Sequence, residues 1–373
     1  MSDEEEELRA GSPKFHQDRS HYGAALDTWF RTQRPAAEDV RISNIDIPVA
    51  TGFSNETVFF DAAWREGGTE QEQRFVARIE PGTGPLFPAQ TPELTVSVDV
   101  QHRAMTAVSG VAPVPPLLGY EPDPAVLGQP FFVMGFVEGV IPSDQPRYSQ
   151  AGFLVDEATP EQRRRMVSSG LATMGRIHAL DWRTAGLDWL DDGTSEPGTQ
   201  RQVDVYRRYA VDALAGRKHP VLFEALDWLA AHDPQDERIG LSWGDSRLGN
   251  MIWRDYEPVA VVDWEACALS PTEADVGWWL MFDRMSFDDM DAPRMEGFPT
   301  REEMISIYED ATGREVRDPH YWEVFATMRF CAIFIRLGDR MVAAGLVPPE
   351  HSPAVGNDVT AALATQLERG GWV

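Results

Sequence analysis

The sequence predicts an α+β protein of two lobes, a small N-terminal lobe built on an antiparallel β-sheet and a larger, mainly helical C-terminal lobe. Strand-like segments dominate from about residue 38 to 138, and helical periodicity dominates from about residue 140 onward. The 373 residues, 43% of them hydrophobic, suffice for two lobes with substantial cores. We place the lobes at 15–137 and 138–373, after an acidic tail at 1–14 that is predicted to be disordered.

The N-terminal lobe is predicted to begin with a helix. Apolar residues at helical spacing over 22–30 are followed by Pro35, which ends the segment. Strands are predicted over 57–60 and 74–79, and the turn-forming residues 65–69 join them. These signals indicate a helix lying against a small sheet.

One segment of this lobe has two interpretations. Apolar residues alternate over 94–100, which is typical of a strand, whereas Met105 and Val108 fit a helix that ends at Gly110. Periodicity alone does not decide between them. The apolar run over 131–137 predicts a buried strand that leaves the lobe.

The C-terminal lobe is predicted to consist mostly of helices. A core-facing apolar stripe runs along a helix that begins near Pro160, with Thr159 as its N-cap. Further helices are predicted over 206–214, 221–230 and 325–344. A short hairpin is predicted between these helical blocks.

Composition disfavours several classes of protein. The formal charge of −27 opposes binding to nucleic acid or to anionic membranes. No apolar run approaches the ~20 residues that span a bilayer, and the acidic start differs from a signal peptide, so we expect a cytoplasmic protein. Cys267 and Cys331 are too few for a disulfide framework and are expected to be buried thiols. No oligomeric state is predicted.

The predicted hairpin places oxygen ligands together. If its turn is centred between Tyr256 and Glu257, Asn250 and Asp263 face each other with Cα atoms roughly 4.5–5.5 Å apart. Amide and carboxylate oxygens suit Mg²⁺, which takes its remaining ligands from water and nucleotide phosphates. The segments that carry this pattern are Ser-Trp-Gly-Asp-Ser-Arg-Leu-Gly-Asn at 242–250 and Val-Val-Asp-Trp-Glu at 261–265.

The spacing within the first of these segments suggests a catalytic base. Asp245 precedes Asn250 by five residues, as in the D-x-x-x-x-N arrangement of kinase catalytic loops, where the aspartate accepts the substrate hydroxyl proton. We therefore assign Asp245 as the base and Asn250 with Asp263 as metal ligands. Arg247 could stabilise Asp245 or the transferring phosphoryl group, or form only a surface ion pair. The alternative is that all of these are ordinary residues of loops around a hairpin.

These segments resemble those of the aminoglycoside phosphotransferase family, which has the two-lobed protein-kinase-like fold. Residues 243–250 are similar to the family's H-G-D-x-x-x-x-N segment, and 262–265 to its I-D-W-E segment. The likeness runs over roughly 40–345 and is greatest to a bacterial subgroup related to the kinase-like domains that accompany acyl-CoA dehydrogenases. It implies ATP or GTP as phosphoryl donor, Mg²⁺, and a small molecule whose hydroxyl accepts the phosphoryl group.

The resemblance also implies a nucleotide site in the first lobe. Residues 51–57 are similar to the family's loop over the nucleotide, and 132–139 to the interlobe hinge, whose backbone at 135–137 would contact adenine. The only lysines are Lys14 and Lys218, outside the predicted strands of this lobe, so a cationic phosphate contact there falls to arginine. The residues implied to contact the nucleotide are Gly52, Phe53, Ser54, Asn55, Arg78, Met134, Gly135, Phe136 and Val137.

Three residues depart from the family pattern. Trp243 replaces the histidine before Gly-Asp, Arg78 replaces the strand lysine, and Gln101 replaces the glutamate that would pair with it. At best, Gln101 and Arg78 would form a neutral hydrogen bond. These departures motivate the alternative of a nucleotide-binding pseudokinase without phosphotransfer. An unrelated metal hydrolase is remote and a P-loop enzyme is excluded, because the chain lacks the H-E-x-x-H, G-x-S-x-G and G-x-x-x-x-G-K-[ST] motifs.

The acceptor is not specified by the sequence. Glu265 and Asp275 would suit a cationic substrate if they lay at the acceptor site. His178, on an apolar helical stripe, is interpreted as a hydrogen-bonded core residue. Trp278 and Trp279 are interpreted as core residues, one of which could line an acceptor pocket.

Overall fold

A computed structural model describes residues 19–48, 55–234 and 238–370. The strands are β1 (Glu38–Asp46), β2 (Glu56–Glu66), β3 (Thr69–Ile79), β4 (Leu117–Glu121), β5 (Phe131–Gly135), β6 (Ile239–Ser242), β7 (Met251–Arg254), β8 (Glu257–Val261) and β9 (Ala268–Pro271). The α-helices are α1 (Arg19–Gln33), α2 (Ser97–Val108), α3 (Phe153–Asp156), α4 (Pro160–His178), α5 (Thr199–Leu214), α6 (Pro220–Ala231), α7 (Glu273–Ser286), α8 (Arg301–Thr312), α9 (Pro319–Ala343) and α10 (Asp358–Gly370). The predicted tail at 1–14 lies outside the described residues, as do Gly52, Phe53 and Ser54. In the described ranges, no helix is both long and apolar enough to cross a membrane.

The N-terminal lobe contains an antiparallel five-stranded sheet in the order β1-β2-β3-β5-β4. The predicted turn between β2 and β3 is confirmed, and Glu66 pairs with Thr69 across it. Gly67 and Gly68 connect the strands with φ of 58° and 80°, values that glycine adopts without steric conflict and that suit a two-residue hairpin turn. The predicted antiparallel sheet is therefore confirmed.

The buried strand β5 has helices on both of its faces. On one face, Trp29 of α1 packs edge-on against Phe131 with ring centroids 5.1 Å apart. On the other face, Phe132 and Met134 share a core with Met105 of α2. Because neither face meets solvent, the strand is apolar without alternation, as its sequence predicted.

The ambiguous segment forms helix α2, which begins at Ser97. Its first turn is held by Glu80 at the end of the β3 segment, whose Oε2 accepts from Ser97 Oγ at 2.9 Å and from the Val98 NH at 3.0 Å. A carboxylate at a helix N-terminus accepts hydrogen bonds from the free NH groups, and its negative charge interacts favourably with the positive end of the helix dipole. This cap comes from another element, so local periodicity could not reveal it.

The C-terminal lobe confirms the predicted helices. Thr159 caps α4 and forms a reciprocal capping box with Gln162. Helix α9 packs along α7 and contacts α5, α6 and α10, so it lies at the centre of the lobe. Cys267 and Cys331 are free, buried thiols, as predicted. The larger lobe is thus a helical body that carries two short two-stranded sheets, β6-β9 and β7-β8.

The predicted hairpin exists, but its predicted register is wrong by one residue. Its turn consists of Asp255 and Tyr256, both with positive φ (52° and 61°), so β7 and β8 are joined by a tight two-residue connection. A register shift between Ile252 and Trp253 then moves the pairing by one residue, so Asn250 faces Val262, whose NH donates to the Asn250 carbonyl at 3.0 Å. Asp263 lies one residue beyond that pair and is not its partner.

Candidate functional site

The loop from Trp243 to Asn250 leaves β6 in the C-terminal lobe and rests on Asp275 of α7. Asp275 Oδ1 accepts from Ser242 Oγ and from the Gly244 NH, each at 2.9 Å. Its Oδ2 accepts from the Trp243 NH at 2.7 Å and from His178 Nε2 at 2.9 Å. One carboxylate thus fixes the backbone immediately before the candidate base.

The interpretation of Asp275 as an acceptor-site residue needs correction, because its side chain has no exposed surface. Burial alone would raise the pKa of Asp275, but hydrogen bonds from His178, Gly244 and Ser242 hold this pKa below its ordinary value. The carboxylate is therefore ionised, and it supports the loop by accepting hydrogen bonds from residues 242–244. His178 is the hydrogen-bonded core residue that its position indicated, and its Nδ1 lies 2.7 Å from Tyr308 Oη.

Gly244 is required by the shape of this loop. Its φ is 90°, and a Cβ placed there would collide with the carbonyl of Ala266. Both a left-handed backbone and the close approach of another chain segment exclude larger residues. The sharp bend directs the next side chain, Asp245, away from β6 and into the cleft.

Asp245 receives hydrogen bonds on both of its carboxylate oxygens. Trp278 Nε1 donates to Oδ1 at 2.7 Å, and Arg247 Nε donates to the same oxygen at 3.2 Å. Asn250 Nδ2 donates to Oδ2 at 2.6 Å. These hydrogen bonds hold the Asp245 side chain in one orientation. The side chain is 15% exposed, so it remains accessible from the cleft.

Arg247 joins two carboxylates at the edge of this site. Its Nη1 contacts Asp144 Oδ2 at 2.7 Å, and its Nε contacts Asp245. Desolvation would lower the pKa of Arg247, but the charges of Asp245 and Asp144 raise this pKa above its usual value. The ion pair predicted as one possibility is present, and it lies beside the candidate base.

Trp243, which replaces the histidine of the family pattern, connects the two motif segments. Its indole is fully buried, and Nε1 donates to the Val262 carbonyl at 3.0 Å. The bond ties the loop of Asp245 to the segment of Asp263. The indole at this position therefore supplies a hydrogen bond between the two motif segments.

Arg78 reaches across the cleft from the N-terminal lobe to the candidate metal ligand. Its Nη2 donates to Asp263 Oδ1 at 2.8 Å, and its Nη1 donates to Thr57 Oγ1 at 2.8 Å. The expected partner Gln101 lies in the same cavity wall, yet its Nε2 is buried with no hydrogen-bond partner in the part of the chain that the structure describes. Arg78 is therefore oriented by Thr57 and Asp263.

A buried polar chain also joins the lobes near the nucleotide loop. Asn55, the first described residue after the loop, donates to Glu265 Oε2 at 3.2 Å and accepts from Ser97 Oγ at 2.9 Å. Ser97 Oγ lies equally close to Glu80 Oε2, at 2.9 Å, so its one hydroxyl proton is shared between these two acceptors. Glu265 thus contacts the base of the predicted nucleotide loop, and its role as an acceptor residue stays a prediction.

Two cavities meet at Arg78 and Asp263. One, of about 240 Å³, lies between the lobes and is lined by the hinge residues from Met134 to Val137. Within the hinge, the Gly135 NH donates to the Pro116 carbonyl at 2.7 Å and the Phe136 NH donates to the Arg74 carbonyl at 2.9 Å. These two NH groups are engaged, so a base bound in this cavity would need other polar atoms of the hinge.

The second cavity, of about 410 Å³, extends from Asp245 into the C-terminal lobe. Leu86 and Phe87 enter its wall from the segment between β3 and α2, which Tyr209 holds through a hydrogen bond to the Leu86 carbonyl. No pattern in the sequence predicted this contribution from the first lobe. The remaining apolar wall comes from α7 and α9 and consists of Trp278, Phe282, Phe330, Ile333, Phe334 and Leu337.

Comparisons with known proteins agree with this architecture. The model of the phosphotransferase enzyme family matches residues 47–305. The chain is 27% identical over 268 residues to mouse (Mus musculus) acyl-CoA dehydrogenase family member 10, covering 69% of this chain and 23% of that protein. It is 30% identical over 272 residues to chicken (Gallus gallus) acyl-CoA dehydrogenase family member 11, covering 69% and 32% respectively. The chain therefore spans about a quarter to a third of the length of these relatives.

The fold is similar to that of a crystal structure from Ralstonia eutropha JMP134 assigned as an aminoglycoside phosphotransferase. The TM-score is 0.69 with 22% identity, and the match covers 93% of this chain and 98% of the other. The predicted two-lobed, kinase-like fold is confirmed.

Proposed function

The chain belongs to the phosphotransferase enzyme family, and from that premise we propose that it is a small-molecule kinase that transfers the γ-phosphoryl group of ATP or GTP to a hydroxyl. The observation that carries the proposal is Asp245, held by Trp278, Arg247 and Asn250 in the wall of the second cavity, which adjoins the interlobe cavity at Arg78 and Asp263. Such a reaction depends mainly on positioning and on charge neutralisation.

Asn250 and Asp263 fit a magnesium site. The Asn250 amide nitrogen is committed to Asp245, which leaves the amide oxygen as its ligand atom. Arg78 occupies Oδ1 of Asp263, and Oδ2 remains as a hard oxygen donor. A magnesium ion bound by these oxygens would neutralise charge on the nucleotide phosphates.

Arg78 and the interlobe cavity would hold the nucleotide. A guanidinium can contact phosphate oxygens through two hydrogen bonds, and Arg78 is already directed toward Asp263. The hinge from Met134 to Val137 would hold the base in the 240 Å³ cavity. The loop residues Gly52, Phe53 and Ser54, with Asn55, would cover the phosphates.

Asp245 would act on the acceptor. Its carboxylate would accept the hydrogen bond of the substrate hydroxyl, align that oxygen with the γ-phosphorus and take the proton. The new P–O bond would form as the bond from the γ-phosphorus to the β,γ-bridging oxygen breaks and ADP or GDP leaves. Arg247, whose Nε lies 3.2 Å from Asp245 Oδ1, would hold this carboxylate in place and would offset charge on the transferring group.

The second cavity favours an acceptor with a largely apolar body. Half of its wall is aromatic or aliphatic, and its carboxylates already contact donors: Asp144 contacts Arg247, and Asp263 contacts Arg78. A polycation would need carboxylates that are free to pair with it, whereas an apolar body gains from burial against these rings.

A nucleotide-consumption screen of the purified protein tests this proposal. The panel contains polycationic aminoglycosides, sugars, amino alcohols and hydroxylated aliphatic compounds, each with Mg-ATP or Mg-GTP. We expect consumption with hydroxylated aliphatic compounds, and its loss in Asp245→Asn and Asp263→Ala. Consumption with aminoglycosides alone would overturn the acceptor class. Nucleotide binding without consumption above the Asp263→Ala control would favour the pseudokinase alternative.

A further inference from the structure

We propose that Trp278 is a positioning residue that orients the Asp245 carboxylate. We propose further that Arg329, on the face of the Trp278 ring, strengthens the hydrogen bond from Trp278 to Asp245. The inference rests on the proposed function and deepens it, because it concerns how the candidate base is held. The sequence indicated for Trp278 only a core position or a place in a pocket wall. The structure places its indole NH 2.7 Å from Asp245 Oδ1.

The other two donors to Asp245 have competing partners. Arg247 divides its guanidinium between Asp245 and Asp144, and the Asp144 side chain is 52% exposed. Asn250 also donates to the Asp245 carbonyl, and its amide belongs to the proposed magnesium site. Trp278 has one indole NH, which points to one oxygen of Asp245. The direction of this hydrogen bond therefore does not depend on the proposed magnesium ion or on a solvent-exposed partner.

The indole of Trp278 is held by close packing against neighbouring aromatic rings. Trp278 is 1% exposed, and its ring packs against Phe282 and Phe330 with centroid distances of 5.5 Å and 5.7 Å. A rigid donor restricts the rotation of the carboxylate. The oxygens of Asp245 are thereby kept in the orientation in which a hydroxyl from the second cavity can reach them.

Arg329 supplies a buried positive charge on the face of the same ring. Its guanidinium carbon lies 4.7 Å from the Trp278 ring centroid, and the residue is 4% exposed. The guanidinium donates to Tyr206 Oη at 2.9 Å and to the Gly244 carbonyl at 3.0 Å. Across the described ranges, no ion pair of Arg329 with a carboxylate is present.

A buried guanidinium without a carboxylate is costly for a helical core, so packing alone does not account for Arg329. A cation over an indole withdraws electron density from the ring, which makes the indole NH a stronger donor. The same cation holds the Gly244 carbonyl, one residue before Asp245. Arg329 therefore acts on the base both through the ring and through the loop backbone.

Trp278→Phe tests the proposal, with Trp279→Phe as the matched control. Trp279 is similarly buried, at 3% exposure, and packs in a different hydrophobic cluster from Trp278. Both substitutions remove similar volume, so we expect similar losses in thermal midpoint. In Trp278→Phe we expect kcat to fall by about 100-fold while the KM for nucleotide changes less than about twofold. Equal kcat values for the two variants would overturn the inference.

The NMR signals of the indole NH groups provide a measurement that does not depend on catalytic activity. The Trp278 signal, identified by its loss in Trp278→Phe, should lie downfield and move strongly upfield in Asp245→Ala, whereas the Trp279 signal should not move. A Trp278 signal unaffected by Asp245→Ala would refute the contact even if the enzyme is active. Absence of nucleotide consumption by the wild-type protein, with the expected spectrum, would instead refute the proposed function and leave the contact intact.

Discussion

Replacing Asp275 by asparagine should destabilise the protein and disorganise the loop of Asp245. The amide oxygen can keep the bonds from Ser242 and Gly244, which now share Oδ1. The amide nitrogen would then face the two donors of Oδ2, His178 and the Trp243 NH. His178 can adapt by changing its tautomer, but a backbone NH cannot.

The magnitude follows from this local arrangement. One buried NH loses its acceptor, which costs about 1–3 kcal/mol, and the two retained bonds lose their charge assistance, worth together about 1 kcal/mol. We therefore expect Asp275→Asn to lower the free energy of unfolding by about 2–4 kcal/mol. A loss of kcat should accompany it, since the backbone at Trp243 and Gly244 precedes the base.

Urea unfolding followed by tryptophan fluorescence measures this change, with Asp289→Asn as control. Asp289 is 35% exposed and contacts Arg284 at 3.3 Å, so its replacement should change the unfolding free energy by less than about 0.5 kcal/mol. An unchanged unfolding free energy for Asp275→Asn, with a raised KM for acceptor, would refute our reasoning. That result would place Asp275 at the acceptor site after all.

Three further perturbations test other parts of the structure. Burial raises the pKa of Glu56 to about 7 despite its hydrogen bond from Tyr22, so the folded protein retains this proton longer than the unfolded chain. Stability should therefore fall by up to about 3 kcal/mol between pH 4.5 and 7, and Glu56→Gln should abolish that dependence in urea unfolding at both pH values. Gly244→Ala should lower the thermal midpoint well below that of Gly216→Ala, which has the same φ of 90° but open space around it; equal midpoints would contradict the steric argument. Arg78→Ala should weaken Mg-nucleotide binding by about tenfold in calorimetric titration, and unchanged affinity would remove Arg78 from the site.

Several strands and helices and the principal motifs could be predicted from the sequence because they depend on local patterns, whereas α7 (Glu273–Ser286) and α8 (Arg301–Thr312) were not predicted. The capping residues at 159–162 and the turn at Gly67-Gly68 follow rules that need no distant partner. The approximate neighbourhood of Asn250 and Asp263 followed from the hairpin, although the exact register did not. That register depends on the positive φ of Asp255 and Tyr256 in the turn and on the register shift between Ile252 and Trp253, which the sequence permits but does not require.

Contacts between distant segments could not be predicted in this way. Glu80 caps a helix that begins 17 residues later, and α2 formed where the sequence permitted either helix or strand. Leu86 enters a cavity of the other lobe, and Trp278 bonds to Asp245 across 33 residues of chain. Each depends on the packing of separate elements, which no local periodicity encodes.

By itself, the sequence determined the fold class, the positions of several strands and helices and the motif around Asp245, because hydrophobic period, turn chemistry and residue spacing are local properties. The tertiary structure decided what each polar side chain does. Asp275, predicted at a substrate site, is instead buried and supports the loop of Asp245 through hydrogen bonds. Arg78 forms its ion pair with Asp263 and no hydrogen bond with Gln101. The physical reason is that burial and hydrogen-bond partners, which fix the role of a charged group, exist only after the chain has folded.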